Sequence, residues 1–188
     1  MDGLWISRDK INSGSINLYL FCDNDANNKI DIIGLSRVII TDVCGKEEIL
    51  EDPSLKSFKN AISKYNDSCI KDITIYDHGW IDFMGIDGSE DGMVVSENGK
   101  VLFTDDQSSV SDLLGRVLMD DSSILLSGCL TAYDGLFSSS ASTNIAQALS
   151  VELPDATVKG NRGFAIGPRF GPTINIGIRR SYKNGKKN

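Results

Sequence analysis

Only one histidine, His78, and four cysteines, Cys22, Cys44, Cys69 and Cys129, stand among the 188 residues. Any imidazole chemistry must pass through His78. The cysteines include no CxxC pair. Zinc sites and thioredoxin-type redox motifs usually keep at least two ligands close, so both readings fit poorly. Cys–His nucleophilic chemistry fits better. A thiol is a weak nucleophile at its free pKa of about 8.5, and a neighbouring imidazole lowers that value and shuttles the proton. His78 follows the apolar run DITIYD (72–77) and precedes Gly79, while Cys129 follows SSILLS (122–127) and Gly128. Gly79 lets the backbone turn sharply, so that its N–H can face an oxyanion. Gly128 leaves room for a substrate to approach Cys129, whose own N–H is the expected second donor. A helix beginning after Cys129 would add a dipole favouring the thiolate. The other three thiols are expected to be small buried hydrophobes.

The elements that must position this pair are legible as an alternation of strands and helices. INLYLFCD (16–23) and KIDIIGLSRVIITDV (29–43) read as strands, the second with a break at Gly34. Asp52-Pro53 reads as an N-cap with proline at the first helical position, opening an amphipathic helix through Leu55, Phe58, Ile62 and Tyr65. DITIYD is a strand, and GMVVSENGKVLF (92–103) is a hairpin turning at Asn98-Gly99. Thr104 or Asp105 is expected to cap a helix whose stripe is Val110, Leu113, Leu114, Val117 and Leu118. SILL (123–126) suits a central parallel strand buried on both faces. Ser142 or Thr143 opens a last helix that stops near Pro154, and ATVKG (156–160) is a strand. RGFAIGPRFGPTINIGIRR (162–180) supplies one or two more strands before a basic, frayed tail at 181–188. The fold class is therefore α/β, a mostly parallel β-sheet sandwiched by helices with a peripheral β-hairpin. One domain is expected over 1–180, with a strand-rich part at 1–50 and a catalytic core at 70–167. In such sheets ligands bind at the carboxyl ends of the strands, where His78 and Cys129 both fall.

Order and spacing narrow the chemistry further. His78 precedes Cys129 by 51 residues. Papain-like enzymes run Cys before His, whereas caspases place the His roughly 50 residues upstream. On ITIYDHG and ILLSGC the chain resembles the caspase-like, clan CD cysteine peptidases, nearest to bacterial members such as toxin-borne cysteine protease, CHAT and clostripain-like domains. The similarity spans Ile73 to Gly167, including ILLSGCLTAYDG and NIAQALSVELPDATVKGNRGFAIG. The resemblance implies a caspase-like fold and a catalytic dyad, with His78 as general base and acid and Cys129 as nucleophile. It also implies that Gly79 and Cys129 N–H groups bind the oxyanion. Peptide-bond hydrolysis by a bacterial effector or toxin-type protease is the expected activity. A caspase's Gln-Ala-Cys-x-Gly is here Ser127-Gly128-Cys129-Leu130-Thr131, so preference for aspartate does not carry over. Deamidation or acyl transfer by the same dyad is one alternative. A catalytically inert scaffold that binds partners is another.

Other candidates are weaker. Asp23, Asp25, Asn27 and Asp31 fall at oxygen-ligand positions of an EF-hand-like Ca2+ loop, but Gly34 stands where the bidentate glutamate belongs. A polar hairpin turn explains that segment equally well, and no cofactor is expected to be required. Asp77, beside His78, is a candidate to orient the imidazole, but adjacent residues of a strand point to opposite faces, so it reads instead as a structural acid or turn residue. Asp82, Asp87, Glu90 and Asp91 form an acidic loop after Gly79, read as a solvated loop or as a rim attracting a basic substrate side chain. Arg162, Arg169, Arg179 and Arg180 read as surface or ion-pairing residues. A net charge of −7 argues against nucleic acid or an anionic membrane as partner. No apolar run reaches the ~18 residues of a membrane span, and the first residues lack a secretory pattern. The expected setting is the cytoplasm, or a target cell's cytoplasm reached by a signal-independent route.

Overall fold

The computed structural model describes residues 36–87, 91–133, 143–166, 174–176 and 178–188. The expected strand at 16–23 and the Ca2+ loop with Asp23, Asp25, Asn27 and Asp31 lie outside these residues, as do Glu90 and Arg169. Two strands open the described chain, β1 (Arg37–Asp42) and β2 (Glu47–Glu51), followed by helix α1 (Leu55–Ser63) and strand β3 (Ile70–Tyr76). Three short strands come next, β4 (Phe83–Gly85), β5 (Gly92–Val95) and β6 (Val101–Phe103). Helix α2 (Val110–Val117), strand β7 (Leu118–Leu126), helix α3 (Ile145–Glu152) and strand β8 (Thr157–Asn161) follow. The chain ends in β9 (Phe164–Ile166), β10 (Ile174–Ile176), β11 (Arg179–Lys183) and β12 (Lys186–Lys187).

The main sheet has seven strands in the order β12-β11-β8-β7-β3-β1-β2. Its centre is parallel, with β7 between β3 and β8, while the flanking pairings β3–β1, β1–β2, β8–β11 and β11–β12 are antiparallel. The fold is thus α/β with a mixed sheet, and the mostly parallel arrangement expected from the sequence holds only for its core. Each parallel pair is joined through a helix, α2 between β3 and β7 and α3 between β7 and β8, whereas β1–β2 and β11–β12 are joined by tight turns. β4, β5 and β6 form a separate antiparallel sheet whose β5–β6 arm is the expected hairpin, and β9 pairs with β10.

Register explains where the core sits. Val38 and Ile75 pair, Ile75 pairs with Leu126, and Ile40, Ile73, Ile124 and Val158 form the next row. All of these are fully buried. The intervening row, Ile49, Ile39, Thr74, Leu125 and Lys159, is half-buried or exposed. A period-2 strand puts alternate residues on opposite faces, so among the described residues one sheet face carries the core. SILL was expected to be buried on both faces; instead Ser123 and Leu125 are only half-buried.

Helix α1 packs on α2, and Phe58 meets Phe103 edge-to-face at 6.3 Å. Lys59 spans the same junction, with its Nζ 4.3 Å from the Phe103 ring centroid and 2.6 Å from Asp105. Each helix starts one or more residues later than expected. The caps are Ser54, Ser109 and Asn144, each side chain accepting the N–H three residues on, rather than Asp52, Thr104 or Asp105, and Ser142 or Thr143. Leu118 belongs to β7 rather than to the α2 stripe, though it is buried all the same. The tail from Ser181 is not frayed. It forms the β11–β12 edge hairpin, with Tyr182 buried and its hydroxyl accepting from Asn144 Nδ2 at 3.1 Å. Among the described residues no helix is long and apolar enough to cross a membrane.

Candidate active site

β3 and β7 are adjacent and parallel, so their carboxyl ends deliver His78-Gly79 and Gly128-Cys129 to the same edge of the sheet. The last rung is Ser127 N–H donating to Ile75 O at 2.8 Å. Beyond it the two glycines meet. A Cβ built on Gly128 would lie 2.9 Å from Gly79 Cα and 3.0 Å from Gly79 N. One built on Gly79 would lie 3.1 Å from Gly128 Cα and 3.2 Å from the Cys129 carbonyl oxygen. Neither position has space for a side chain, and that is the local reason for two glycines here.

Strand β4 backs the histidine. Gly79 and Met84 are opposed in a bridge flanked by Gly85 N–H to His78 O at 2.9 Å and Trp80 N–H to Phe83 O at 2.9 Å. In an antiparallel pair the residue between two such bonds turns its own N–H the other way. The Gly79 N–H therefore points away from β4, on the side where Gly128 lies. Phe83 stacks on the imidazole, with ring centroids 5.7 Å apart and planes at 28°. The His78 side chain keeps 27% of its surface exposed.

Asp77 departs from the sequence expectation. It is 2% exposed, and its Oδ1 lies 2.8 Å from His78 Nδ1 while accepting the His78 N–H at 2.6 Å. The rule that neighbours face apart holds only in regular strand, and β3 ends at Tyr76, with a bend at Asp77.

On the other side, Cys129 sits in a tight turn rather than at a helix start. Tyr133 N–H donates to Leu130 O at 2.9 Å, and Leu130 is left-handed at φ 57°. Such a conformation costs a branched residue of order 1 kcal/mol and persists where its surroundings impose it. Those surroundings are Thr131 and Asn161, neither of which the sequence reading singled out. Thr131 is fully buried; its hydroxyl donates to Leu126 O at 3.0 Å and accepts from Asn161 N–H at 3.0 Å. Asn161 Nδ2 donates to Gly128 O at 3.1 Å, and Leu130 N–H donates to Gly163 O at 3.0 Å. The end of β8 thus ties down the Gly128–Thr131 turn. Cys129 itself is 4% exposed. The other described thiols depart from the buried filler expected: Cys44 is exposed and Cys69 half-buried.

The acidic loop is divided. Asp91 accepts from the Thr104 hydroxyl at 3.3 Å within the β4–β6 sheet, while Asp82 lies in the Trp80–Phe83 turn beside Gly79. Arg179 and Arg180 lie on β11 and Arg162 beside it, its N–H bonded to Ile178 O. Among the described residues no three His, Cys, Asp or Glu side chains cluster as metal ligands do. Chemically, the edge offers a thiol, an imidazole whose Nδ1 faces a carboxylate, and a backbone N–H turned toward the thiol-bearing turn. Comparison with protein-family models, with curated proteins and with solved structures finds no match to this chain.

Proposed function

We propose that the chain is a cysteine endopeptidase of the caspase-like kind, acting on a protein or peptide substrate through His78 and Cys129. The observation that supports this reading best is the apposition of Gly79 and Gly128, which sets the histidine and cysteine segments side by side at the carboxyl edge of a parallel sheet core. In this mechanism His78 takes the proton of the Cys129 thiol, and the sulfur attacks the scissile carbonyl carbon. The tetrahedral oxyanion is held by the N–H groups of Gly79 and Cys129. Collapse breaks the C–N bond, His78 gives its proton to the leaving amine, and a thioester to Cys129 remains. His78 then activates a water that hydrolyses the thioester and restores the thiol.

Incubation with a peptide library, read by mass spectrometry, tests the reading. Wild-type protein should cleave a subset of peptides, while folded Cys129→Ala and His78→Ala variants should cleave none. Cleavage retained by either variant refutes the dyad. Products heavier by +1 Da, or carrying an added group, would assign the same dyad to deamidation or acyl transfer instead. One observation favours a second reading, the inert partner-binding scaffold: Cys129 is only 4% exposed. That reading predicts no turnover of any peptide and a Cys129 that resists alkylation in the native chain.

A further inference from the structure

We infer that Asp77 is a positioning residue for His78: its carboxylate fixes the Nδ1–H tautomer, so that Nε2 is the nitrogen that exchanges the proton with Cys129. This rests on His78 serving as the base. The geometry is specific. Asp77 is nearly wholly buried, and a buried carboxylate is costly unless hydrogen bonds satisfy it. Its Oδ1 receives two groups of the same residue, the backbone N–H of His78 at 2.6 Å and Nδ1 at 2.8 Å. A turn acid would need only the first. The second locks the ring.

Strand β4 is shaped around this pair. Phe83 and Gly85 are two residues apart and so share a face of the strand. Phe83 stacks on the ring, and Gly85 leaves the space that the pair fills. A Cβ built on Gly85 would lie 2.9 Å from Asp77 Cγ and 3.1 Å from His78 Cε1. The ring is therefore held by its edge, its face and its back. An imidazole whose Nδ1–H is given to a carboxylate presents an unprotonated Nε2, and the same carboxylate supports the imidazolium formed when the thiol ionises.

The single histidine makes the test unambiguous. A side-chain 1H–15N correlation spectrum of the uniformly labelled full chain contains one imidazole, and its nitrogen shifts report the tautomer of the neutral ring. Wild type should show the Nδ1–H form, and folded Asp77→Asn and Asp77→Ala should shift to Nε2–H. Iodoacetamide modification of Cys129 should slow at least about ten-fold in Asp77→Asn, the scale seen when a group orienting a ligand or base is lost. An Nε2–H tautomer in wild type overturns the inference even if no Asp77 variant folds. So does an unchanged tautomer in Asp77→Asn. The failure of the underlying reading looks different: Cys129 would then react at the same rate in wild type and His78→Ala, whatever the tautomer.

Discussion

Gly128→Ala perturbs the closest contact on which the site depends. The added Cβ would lie 2.9 Å from Gly79 Cα, 3.0 Å from Gly79 N and 2.9 Å from Met84 Sδ. The methionine sulfur can swing aside, but the two Gly79 atoms are backbone. Carbon atoms in good contact lie about 3.5–4.0 Å apart, so the two strand ends must separate by about 0.6–1.1 Å. Overpacking of this kind costs about 1–3 kcal/mol. In urea titrations the midpoint should fall with the slope unchanged, because the surface exposed on unfolding is the same. The chemical effect should be larger than the thermodynamic one. Gly79 follows His78 directly, and a misplacement of about 1 Å at a reacting pair costs about 100-fold in rate. Iodoacetamide kinetics at Cys129, followed by peptide mapping of the folded variant, read that change. A Gly128→Ala protein with wild-type midpoint and wild-type Cys129 reactivity would refute the claim that this contact sets the geometry.

Three further outcomes follow from other parts of the molecule. Thr131→Val removes the hydroxyl that bonds Leu126 O and Asn161 N–H, and the newly unsatisfied buried groups should lower stability by about 1–3 kcal/mol in denaturant unfolding. Gly115 is exposed in the middle of α2, with nothing nearer to a built Cβ than Leu153 Cδ2 at 3.4 Å; Gly115→Ala should therefore raise stability by about 0.5–1 kcal/mol. Burial, and then the Glu48 carboxylate 3.1 Å away, push the Tyr65 hydroxyl up to about 12. In the unfolded chain it ionises near 10, so its contribution is intact below about pH 10 and is lost as pH rises through about 12. The stability difference between wild type and Tyr65→Phe should shrink between pH 9 and pH 11.5, and a difference independent of pH would contradict this.

Much of the scaffold was legible because it is written in local periodicity. The Leu55–Phe58–Ile62 and Val110–Leu114–Val117 stripes are buried as their spacing predicts, and the 92–103 hairpin turns where Asn98-Gly99 stands. Helix starts are ambiguous in the sequence because several capping residues stand close together at each, and only the docked apolar face selects among them. Parallel pairing in the main sheet is confined to its core. Apolar strand composition does not distinguish a parallel neighbour from an antiparallel one once a strand like β1 is short and followed by a tight turn. The tail reads as frayed because its anchor is distant: Tyr182 gains its burial and its Asn144 bond only when β11 joins β8.

The candidate site is legible in its two chemical groups and not in the residues that support them. His78 and Cys129 are marked by residue type, strand-end position and flanking glycine. Asp77 reads as facing away from His78 by a rule for regular strand, and that rule lapses at the bend after Tyr76. Thr131 and Asn161 are 30 residues apart, and their bond exists only after β7 and β8 pair, so no short-range pattern announces it. Gly85 is similar: its meaning is the volume of the Asp77–His78 pair, which a sequence does not display.

Competitive alkylation of the native chain at neutral pH, resolved by peptide mapping, tests the central claim most directly. Cys44 is exposed and Cys129 is buried, so accessibility alone orders Cys44 ahead of Cys129. Activation by His78 predicts the reverse, with Cys129 modified first and its lead lost in His78→Ala. Cys129 modified last, at one rate in both proteins, would contradict the assignment of Cys129 as the nucleophile.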